Sequence, residues 1–281
     1  MPRIVLAALA VITATTAHAD CASDAQIADF VAALDANEPA KALGDGGSMD
    51  DALCIQEKLA TALAPSMGKV IGYKAGLTSP PAQQRFEVDE PVRGLLFEKM
   101  MLPDGATIPV RFGATPMVES DLVLVVGDAA INAAESPGEV MAHVSAIHPF
   151  IELPDLMLAK GEPITAITLT AMAVGPKLGV LGDAIPVEDA AAMDAALANM
   201  EVTLRDGAGT VVSTAPGSAV LGHPANSVLW LIGKGVSLQP GDLVSVGSFG
   251  PLVPAAQMNG GASASYVGLP GDPRISVNFS E

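Results

Sequence analysis

Residues 117–126 have the sequence MVESDLVLVV, and this stretch constrains the fold more than any other. Its length and its β-branched residues are typical of a buried β-strand. Because side chains alternate between the two faces of a strand, Glu119 and Asp121 point the same way. A third acid, Glu152, lies in a second apolar run, IELPD, at residues 151–155. Buried carboxylates are costly unless they are paired or bound to a cation, so the two runs indicate a sheet that carries a charged site.

These three acids are candidate metal ligands. Glu119, Asp121 and Glu152 would supply hard carboxylate oxygens, which suit Mg²⁺ or Mn²⁺ better than Zn²⁺. Two other arrangements explain the same residues: a solvated face of the sheet, or ion pairs with Lys or Arg. The residues by themselves therefore indicate a metal site but leave these alternatives open.

The first residues of the chain indicate export. Residues 1–3, MPR, form a short basic start, and residues 4–16 form an apolar run. Residues 17–19, AHA, follow as a cleavage site, so we expect a signal peptide over residues 1–19 that is removed before Asp20. The apolar run is shorter than the ~20 residues that a spanning helix needs, which disfavours a membrane anchor. The periplasm is the expected location, although full export from the cell is also compatible.

The composition limits the possible partners. The 281 residues include 31 acidic and 14 basic side chains, which give a formal net charge of −17. Such a surface repels nucleic acid and anionic membranes, so we expect neither as a partner. It would also repel an anionic substrate unless a local positive charge were present. A bound divalent cation would supply that charge.

Two cysteines, Cys21 and Cys54, lie near the start of the expected mature chain. An even pair in an oxidising compartment is typical of a disulfide, and two free buried thiols are the alternative. Helical apolar spacing at residues 24–34 and 49–63 predicts two helices, joined by the turn-rich residues 42–48. The disulfide would therefore fasten the N-terminus of the mature chain to the second helix.

Beyond these helices the pattern changes to strands. Residues 70–78 predict a strand that carries an isolated cation, Lys74. We also expect a helix over residues 137–147 and a strand over residues 164–172. Two helices followed by many strands indicate an α+β fold rather than an alternating βαβ array.

Several motifs, spread over most of the chain, resemble one enzyme family. GYKAGLTS at residues 72–79 resembles the GYK-x-GLTS signature of the 2-keto-4-pentenoate hydratase and 4-oxalocrotonate decarboxylase group, within the fumarylacetoacetate hydrolase superfamily. Agreement continues through VESD at residues 118–121, IELPD at residues 151–155 and GHPANSVLWL at residues 222–231. The motifs follow in order, and a series in order is far more specific than any one of them.

The resemblance implies a fold in two parts. One is a mixed, strongly curved β-roll of the fumarylacetoacetate hydrolase type, and the other is a small helical N-terminal region. We therefore expect the helical region at residues 20–66 and the β-roll catalytic domain at residues 67–281. A homo-oligomer is also expected.

The resemblance implies a site as well. The family's metal-binding E-x-E pair and its later Glu correspond to Glu119, Asp121 and Glu152, with Asp121 one methylene shorter than the usual Glu. The implied cofactor is Mg²⁺ or Mn²⁺. The family's lysine corresponds to Lys74, which becomes the candidate catalytic residue, and a structural ion pair with one of the metal-binding acids is the alternative role for it. Ser248, in the region similar to the family's closing strands, becomes the candidate substrate-binding residue.

The implied activity is that of a metal-dependent lyase, either a hydratase or a decarboxylase. Its substrates would be small 2-oxo or 2-hydroxy-dienoic acids such as 2-keto-4-pentenoate. The hydratases carry an acid at the position of Val92, and its replacement here favours decarboxylation. A C–C hydrolase is disfavoured because no His–Glu catalytic pair is recognisable. Export and Val92 also keep a second class open, a secreted non-catalytic protein that binds small 2-oxo acids with the same fold and metal site.

Overall fold

The computed structural model of the protein describes residues 21–281, so the predicted signal peptide, residues 1–19, lies outside the described residues. Within the described range, no helix is both long and apolar enough to cross a membrane. The α-helices of this range are α1 (Asp24–Ala36), α2 (Met49–Met67), α3 (Pro80–Arg85), α4 (Pro137–Met141), α5 (Ala166–Ala171), α6 (Ala190–Asn199) and α7 (Asn226–Gly233). Its strands are β1 (Val70–Gly76), β2 (Val92–Phe97), β3 (Met101–Pro103), β4 (Ala106–Pro109), β5 (Met117–Val126), β6 (Val144–Leu153), β7 (Leu178–Leu181), β8 (Ile185–Pro186), β9 (Glu201–Asp206), β10 (Val211–Pro216), β11 (Leu243–Ser245), β12 (Val253–Pro254), β13 (Gly261–Val267) and β14 (Arg274–Ser280).

The two N-terminal helices form where their apolar spacing predicts them. Ser23 caps α1 and Ser48 caps α2, and each hydroxyl accepts a hydrogen bond from the backbone N–H three residues later. The two helices pack against each other, and a disulfide between Cys21 and Cys54 joins the segment before α1 to α2. The Cα atoms of the two cysteines are 5.7 Å apart, a normal spacing for a disulfide. The structure therefore holds the pair in the bonded state and not as two thiols.

Two sheets make up most of the remaining fold. The larger has the strand order β2-β1-β11-β5-β6-β7-β3, with β12 paired to β5 and β8 paired to β6. The smaller has the order β10-β9-β13-β14-β4. Both sheets are mixed, because β1 runs parallel to β11, β3 to β7 and β4 to β14, whereas the other pairs are antiparallel. The predicted α+β class is confirmed.

Strands β5 and β6 lie at the centre of the larger sheet and are buried along most of their length. One apolar cluster, with Leu122 and Tyr266 among its buried members, joins them to the smaller sheet and to helices α6 and α7. A second cluster, with Leu59 and Phe97 among its members, joins α1 and α2 to β2 and α5. The helical region thus shares a core with later parts of the chain, and the domain division at residue 67 stays a prediction.

Two predicted elements are wrong. The helix expected over residues 137–147 ends at Met141, because the chain from Val144 onward pairs with β5 and forms β6. Burial in the central sheet outweighs the local helical pattern there. The strand expected over residues 164–172 is instead helix α5, for which Thr165 is the N-cap. An apolar run this short does not distinguish a strand from a buried helix, and the cap decides for the helix.

Candidate active site

The pairing of β5 with β6 brings the three candidate metal ligands together. Glu119 lies directly opposite Glu152 in this antiparallel pair, and Asp121 lies two positions further along the same face of β5. Asp121 and Glu152 are 0% and 2% exposed, and Glu119 is half-buried. The acids that the sequence places in two separate runs therefore form one cluster.

Lys74 joins this cluster from another strand of the same sheet. It lies in β1, which β11 separates from β5. Its Nζ donates a hydrogen bond to Oε1 of Glu152 in an ion pair, and both side chains are only 3% exposed. Gly94 lies directly opposite Lys74, and a Cβ at this glycine would be 2.5 Å from Lys74 Cγ. The lysine stem therefore needs glycine at this position.

Asp121 is held by three donors from the protein. The N–H groups of Leu122 and Gly247 donate to its Oδ1 at N···O distances of 2.6 and 2.9 Å. The Ser245 hydroxyl, from the end of β11, donates to Oδ2. Gly247 has a φ of 107°, and a Cβ there would lie 2.2 Å from the Thr78 hydroxyl oxygen. The close approach of this loop to Asp121 thus depends on glycine.

Burial and crowding of negative charge raise the pKa values of two acids. The pKa of Glu119 lies well above its usual value, and burial is the largest cause. The charges of Glu152 and Asp121 add to this shift, and that of Lys74 opposes it. Burial, followed by the charge of Glu152, raises the pKa of Asp121 to about 7 against the effect of its three donors. With all groups ionised, three carboxylates around one ammonium leave two negative charges unbalanced.

This donor set fits a hard divalent cation in charge and in ligand type. An ion of charge 2+ would balance the excess, and Mg²⁺ and Mn²⁺ prefer oxygen ligands of this kind. The side chains do not yet surround a common point, since in residues 21–281 no group of three or more His, Cys, Asp or Glu is arranged to hold a metal ion. Asp121 and Glu152 are oriented toward protein donors, because Ser245 donates to Asp121 and Lys74 donates to Glu152. Each of these oxygens keeps a further lone pair for an ion.

Tyr266 joins the two sheets beneath the site, and sequence analysis did not identify it. Its hydroxyl oxygen lies 2.6 Å from the carbonyl oxygen of Asp121 and 2.8 Å from that of Phe150. The Phe150 N–H donates back to the hydroxyl at 3.2 Å. The phenol is fully buried, and burial is the main cause that raises its pKa. It therefore stays protonated and ties β5 to β6 below the acids.

Ser245 and Gly94 were also missed. The one signal for Ser245 was a polar residue in the apolar run LVSV, and Gly94 had none beyond being a glycine in a strand. Both belong to strands distant in sequence from the residues that they serve. Only the pairing of β1 with β2 and β11 places them at the site.

The surroundings of Lys74 are apolar on the side of β2. Val92 is 2% exposed and lies opposite Gly76, on the same face of the sheet as Lys74. Val174 approaches the same place, since a Cβ at Gly76 would lie 2.9 Å from Val174 Cγ1 and 3.1 Å from Val92 Cγ2. Two valines, and not an acid, therefore occupy this side of the lysine.

Ser248, the predicted substrate-binding residue, lies in the loop that follows β11. It is half-exposed, and its hydroxyl donates to the Gly250 carbonyl oxygen at 2.9 Å. The preceding residue, Gly247, donates to Asp121, so Ser248 is adjacent to the cluster along the chain. Its role in substrate binding stays a prediction.

Comparison with known proteins supports the resemblance seen in the motifs. The fumarylacetoacetate (FAA) hydrolase C-terminal family model matches residues 70–268. A 2-keto-4-pentenoate hydratase from Paraburkholderia xenovorans (strain LB400) is 34% identical over 211 residues, which cover 73% of this chain and 76% of the relative.

Solved structures share the fold. The 4-oxalocrotonate decarboxylase from Pseudomonas putida G7, complexed with magnesium and adipate, matches with a TM-score of 0.75 and 22% identity, over 91% of this chain and 96% of the other. The fumarylpyruvate hydrolase from Pseudomonas aeruginosa, in complex with Mn²⁺ and pyruvate, matches with a TM-score of 0.54 and 14% identity, over 74% and 88% of the two chains. The predicted β-roll with a small helical N-terminal region is confirmed. Because the family match spans most of the chain, the protein belongs to the fumarylacetoacetate hydrolase family.

Proposed function

We propose that the protein is a divalent-metal-dependent lyase, a hydratase or a decarboxylase, that acts on small 2-oxo or 2-hydroxy-dienoic acids. The observation that carries the proposal is a cluster of three carboxylates around one buried ammonium: the buried Asp121 and Glu152, the half-buried Glu119, and Lys74. The relative from P. xenovorans is a hydratase and the fold neighbour from P. putida is a decarboxylase, which supports this reaction class.

Mg²⁺ or Mn²⁺ is the proposed cofactor, and Glu119, Asp121 and Glu152 would hold it. Solved structures of this fold are complexed with magnesium, calcium or Mn²⁺, which supports a divalent ion. When bound, such an ion supplies Lewis-acid stabilisation of the enolate that a 2-oxo acid forms as a proton or CO₂ leaves.

Lys74 is the proposed proton carrier. Its ammonium is buried beside Glu152 and shielded from water, in a place where it can also attract an anionic substrate. In decarboxylation the electrons of the broken C–C bond stay on the substrate, and Lys74 Nζ would donate a proton to that carbon. In hydration the same group would protonate the carbon chain, water would add its hydroxyl to the substrate, and the proton that this water releases would pass to a base. Ser245 keeps Asp121 in place during either reaction.

The apolar side of Lys74 favours decarboxylation. Val92 and Val174 face this part of the site, and neither side chain can accept a proton from an attacking water. Hydration requires a base for that water, whereas loss of CO₂ does not. We therefore place decarboxylation before hydration.

The periplasm is the proposed location, and a homo-oligomer is the proposed assembly. The disulfide between Cys21 and Cys54 supports an oxidising compartment, and the signal-like residues 1–19 support export. Cell fractionation with sequencing of the mature N-terminus tests the location, and light scattering tests the assembly.

Product analysis on the purified protein tests the reaction. Protein that begins at Asp20 is loaded with Mg²⁺ or Mn²⁺, mixed with a panel of 2-oxo acids, and the products are identified by NMR. We expect turnover that requires added metal and is lost in Glu152→Ala. No turnover across the panel, with ligand binding retained, would refute the lyase and favour the secreted binding protein.

A further inference from the structure

Asp155, the last residue of the IELPD run, is fully buried but does not belong to the cluster of acids around Lys74. Its Oδ2 accepts the Ala114 N–H at 2.9 Å, and its Oδ1 accepts the Thr115 N–H at 2.7 Å. A Cβ at Gly113 would lie 2.4 Å from the Asp155 Cγ. The loop before β5 is therefore shaped around this one carboxylate.

Asp155 lies where β6 has just ended and β5 is about to begin. The Leu156 N–H donates to the Thr115 carbonyl at 3.1 Å, and the Met117 N–H donates to the Pro154 carbonyl at 2.9 Å. These bonds hold the two segments side by side, on either side of the carboxylate. Glu119, the first candidate metal ligand of β5, lies shortly after this junction, and Glu152, the candidate ligand of β6, lies shortly before it. The carboxylate therefore fixes the start of one ligand-bearing strand relative to the end of the other.

The backbone of Asp155 also holds an unusual turn, residues 173–175. The Asp155 N–H donates to the Gly175 carbonyl at 3.1 Å. All three residues of the turn have left-handed φ values, 53°, 58° and 64°, and the middle one is the β-branched Val174. A β-branched residue in this conformation is strained and persists only where the surrounding structure enforces it.

This turn packs against the strands that carry Lys74. A Cβ at Gly94 would lie 2.8 Å from the Ala173 carbonyl oxygen and also 2.8 Å from Lys74 Cε. The Val174 side chain meets Gly76, two residues beyond Lys74 on the same face of β1. The position of the turn therefore sets the space that the lysine occupies.

We propose that Asp155 is a positioning residue for the site. Its side chain and its backbone N–H connect the entry to β5, the end of β6 and the turn against β1. These three elements place Glu119, Glu152 and Lys74, respectively. This role rests on the proposed lyase function. If that function is wrong, Asp155 would still order these three elements but would not serve catalysis.

Two variants and one control test this role. Asp155→Asn keeps the volume, but its amide can accept only one of the two N–H groups and presents its own NH₂ to the other. Gly113→Ala acts from the loop side, because the added Cβ displaces the carboxylate without removing it. Asp206→Asn is the matched control, since Asp206 also accepts two backbone N–H groups, from Ala208 and Thr210, in the β9–β10 hairpin.

The first measurement is Mn²⁺ affinity by calorimetry. We expect Asp155→Asn and Gly113→Ala to weaken binding by about 10-fold or more, the usual scale for losing a group that orients metal ligands. Asp206→Asn should lower thermal stability but leave Mn²⁺ affinity at the wild-type value. Either site variant alone suffices if the other does not fold.

The second measurement is hydrogen–deuterium exchange in the metal-free protein. Displacing the Asp155 carboxylate should speed exchange in residues 113–116 and also in residues 72–76 and 173–176. Faster exchange confined to residues 113–116, or unchanged Mn²⁺ affinity in the site variants, would overturn the proposal. An equal loss of affinity in Asp206→Asn would also overturn it, since general destabilisation would then explain the result. If the wild type binds no Mn²⁺, the proposed function fails, and the exchange pattern alone decides on Asp155.

Discussion

Asp121 in the site and Asp206 in the β9–β10 hairpin have similar hydrogen-bond partners but opposite pKa shifts. Each accepts two backbone N–H groups and one side-chain donor, which is Ser245 for Asp121 and Asn259 for Asp206. The pKa of Asp121 is raised to about 7, mainly by burial and then by the charge of Glu152. The pKa of Asp206 is lowered, mainly by the hydrogen bond from Asn259, while burial opposes it.

The difference teaches that hydrogen bonds do not by themselves decide the charge of a carboxylate. In the hairpin, the hydrogen bond from Asn259 outweighs the opposing effect of burial, so the acid is a structural anion that closes a turn. In the site, deep burial and neighbouring acids outweigh three donors. Carboxylates that remain crowded despite such partners are costly to the fold unless a cation neutralises them. The hairpin therefore contains a structural acid, whereas the site contains a group of acids suited to binding a cation.

Removing one acid of the site should have the largest effect on ion binding. We expect Glu152→Ala to abolish Mn²⁺ binding, because it removes one of the three carboxylates that would supply oxygen ligands and balance the charge of the ion. Asp206→Asn, which changes the structural acid, should bind Mn²⁺ as the wild type does. Calorimetry on both variants is the measurement. Equal Mn²⁺ affinity in the wild type and in Glu152→Ala would refute the metal assignment.

Removing the Lys74 ammonium should lower turnover but leave Mn²⁺ binding unchanged. Lys74→Met should lower turnover of a 2-oxo acid by roughly 100-fold or more, the scale for losing an acid–base group. Its Mn²⁺ affinity should be nearly intact, because an ammonium is not a metal ligand. Lys234→Met, which removes an exposed ion pair with Glu90, is the control and should keep full turnover. Unchanged turnover in Lys74→Met would remove this residue from the mechanism while leaving the enzyme class standing.

A change remote from both aspartates should alter stability alone. The disulfide between Cys21 and Cys54 closes a loop with a sequence separation of 33. Replacing both cysteines by serine should lower the free energy of unfolding by about 3–4 kcal/mol at most, from the lost constraint on the unfolded chain. Urea unfolding measures this change, and Mn²⁺ affinity should not move. Mass spectrometry that finds both thiols free in protein from the periplasm would contradict the prediction.

The opposite pKa shifts predict opposite pH dependences of stability. Because the folded-state pKa of Asp121 is raised from 3.8 to about 7, the folded protein binds a proton that the unfolded chain has released. The metal-free protein should therefore lose stability as the pH rises from about 4 to about 7. Asp206, with its lowered pKa, contributes stability that is present above pH 3.8 and is lost as the pH falls through its folded-state pKa.

Urea unfolding across this pH range checks both signs. Asp121→Asn should flatten the decline between pH 4 and pH 7, and added Mn²⁺ should reverse the decline in the wild type. Asp206→Asn should leave the decline in place and weaken only the acid-side dependence. A decline of unchanged slope in Asp121→Asn would show that this acid does not titrate as its surroundings imply.

The same comparison explains what sequence analysis could find. Glu119, Asp121 and Lys74 stand out because each is a charge inside an apolar strand, a signal that local sequence contains. Ser245 and Tyr266 do not stand out, since their importance comes from strand pairing and from packing between the two sheets. Local sequence therefore identifies the charges of the site but not the groups that hold them.

The errors in the predicted secondary structure have a similar cause. The capped helices α1 and α2 were predictable because caps and apolar spacing agree over long segments. The start of β6 was mistaken for helix because residues 144–149 owe their strand conformation to pairing with β5. Helix α5 was mistaken for a strand because a short apolar run fits both periodicities.

The smallest expected change concerns the product and not the rate. Val92 lies opposite Gly76 and on the same face as Lys74, so Val92→Asp would place an acid beside the lysine. This acid would be as deeply buried as Asp121, but it would lie next to the Lys74 ammonium. It should therefore ionise more readily than Asp121 and serve as a base for water. Hydration should then rise relative to decarboxylation, as measured by NMR of the products.

The control for this change is Val92→Asn, which is polar and of the same size as Asp but cannot take up a proton near neutral pH. If Val92→Asp alone raises the share of hydration, a base at this position selects the reaction. An equal rise in both variants would mean that polarity, by admitting water to the valine-lined side of Lys74, is sufficient. No change in either variant would show that the choice between hydration and decarboxylation is made elsewhere in the site. If only Val92→Asp raises the share of hydration, the comparison of Asp121 with Asp206 gains a third acid. The charge of this acid would be set by its neighbour Lys74, as the charges of Asp121 and Asp206 are set by their own surroundings.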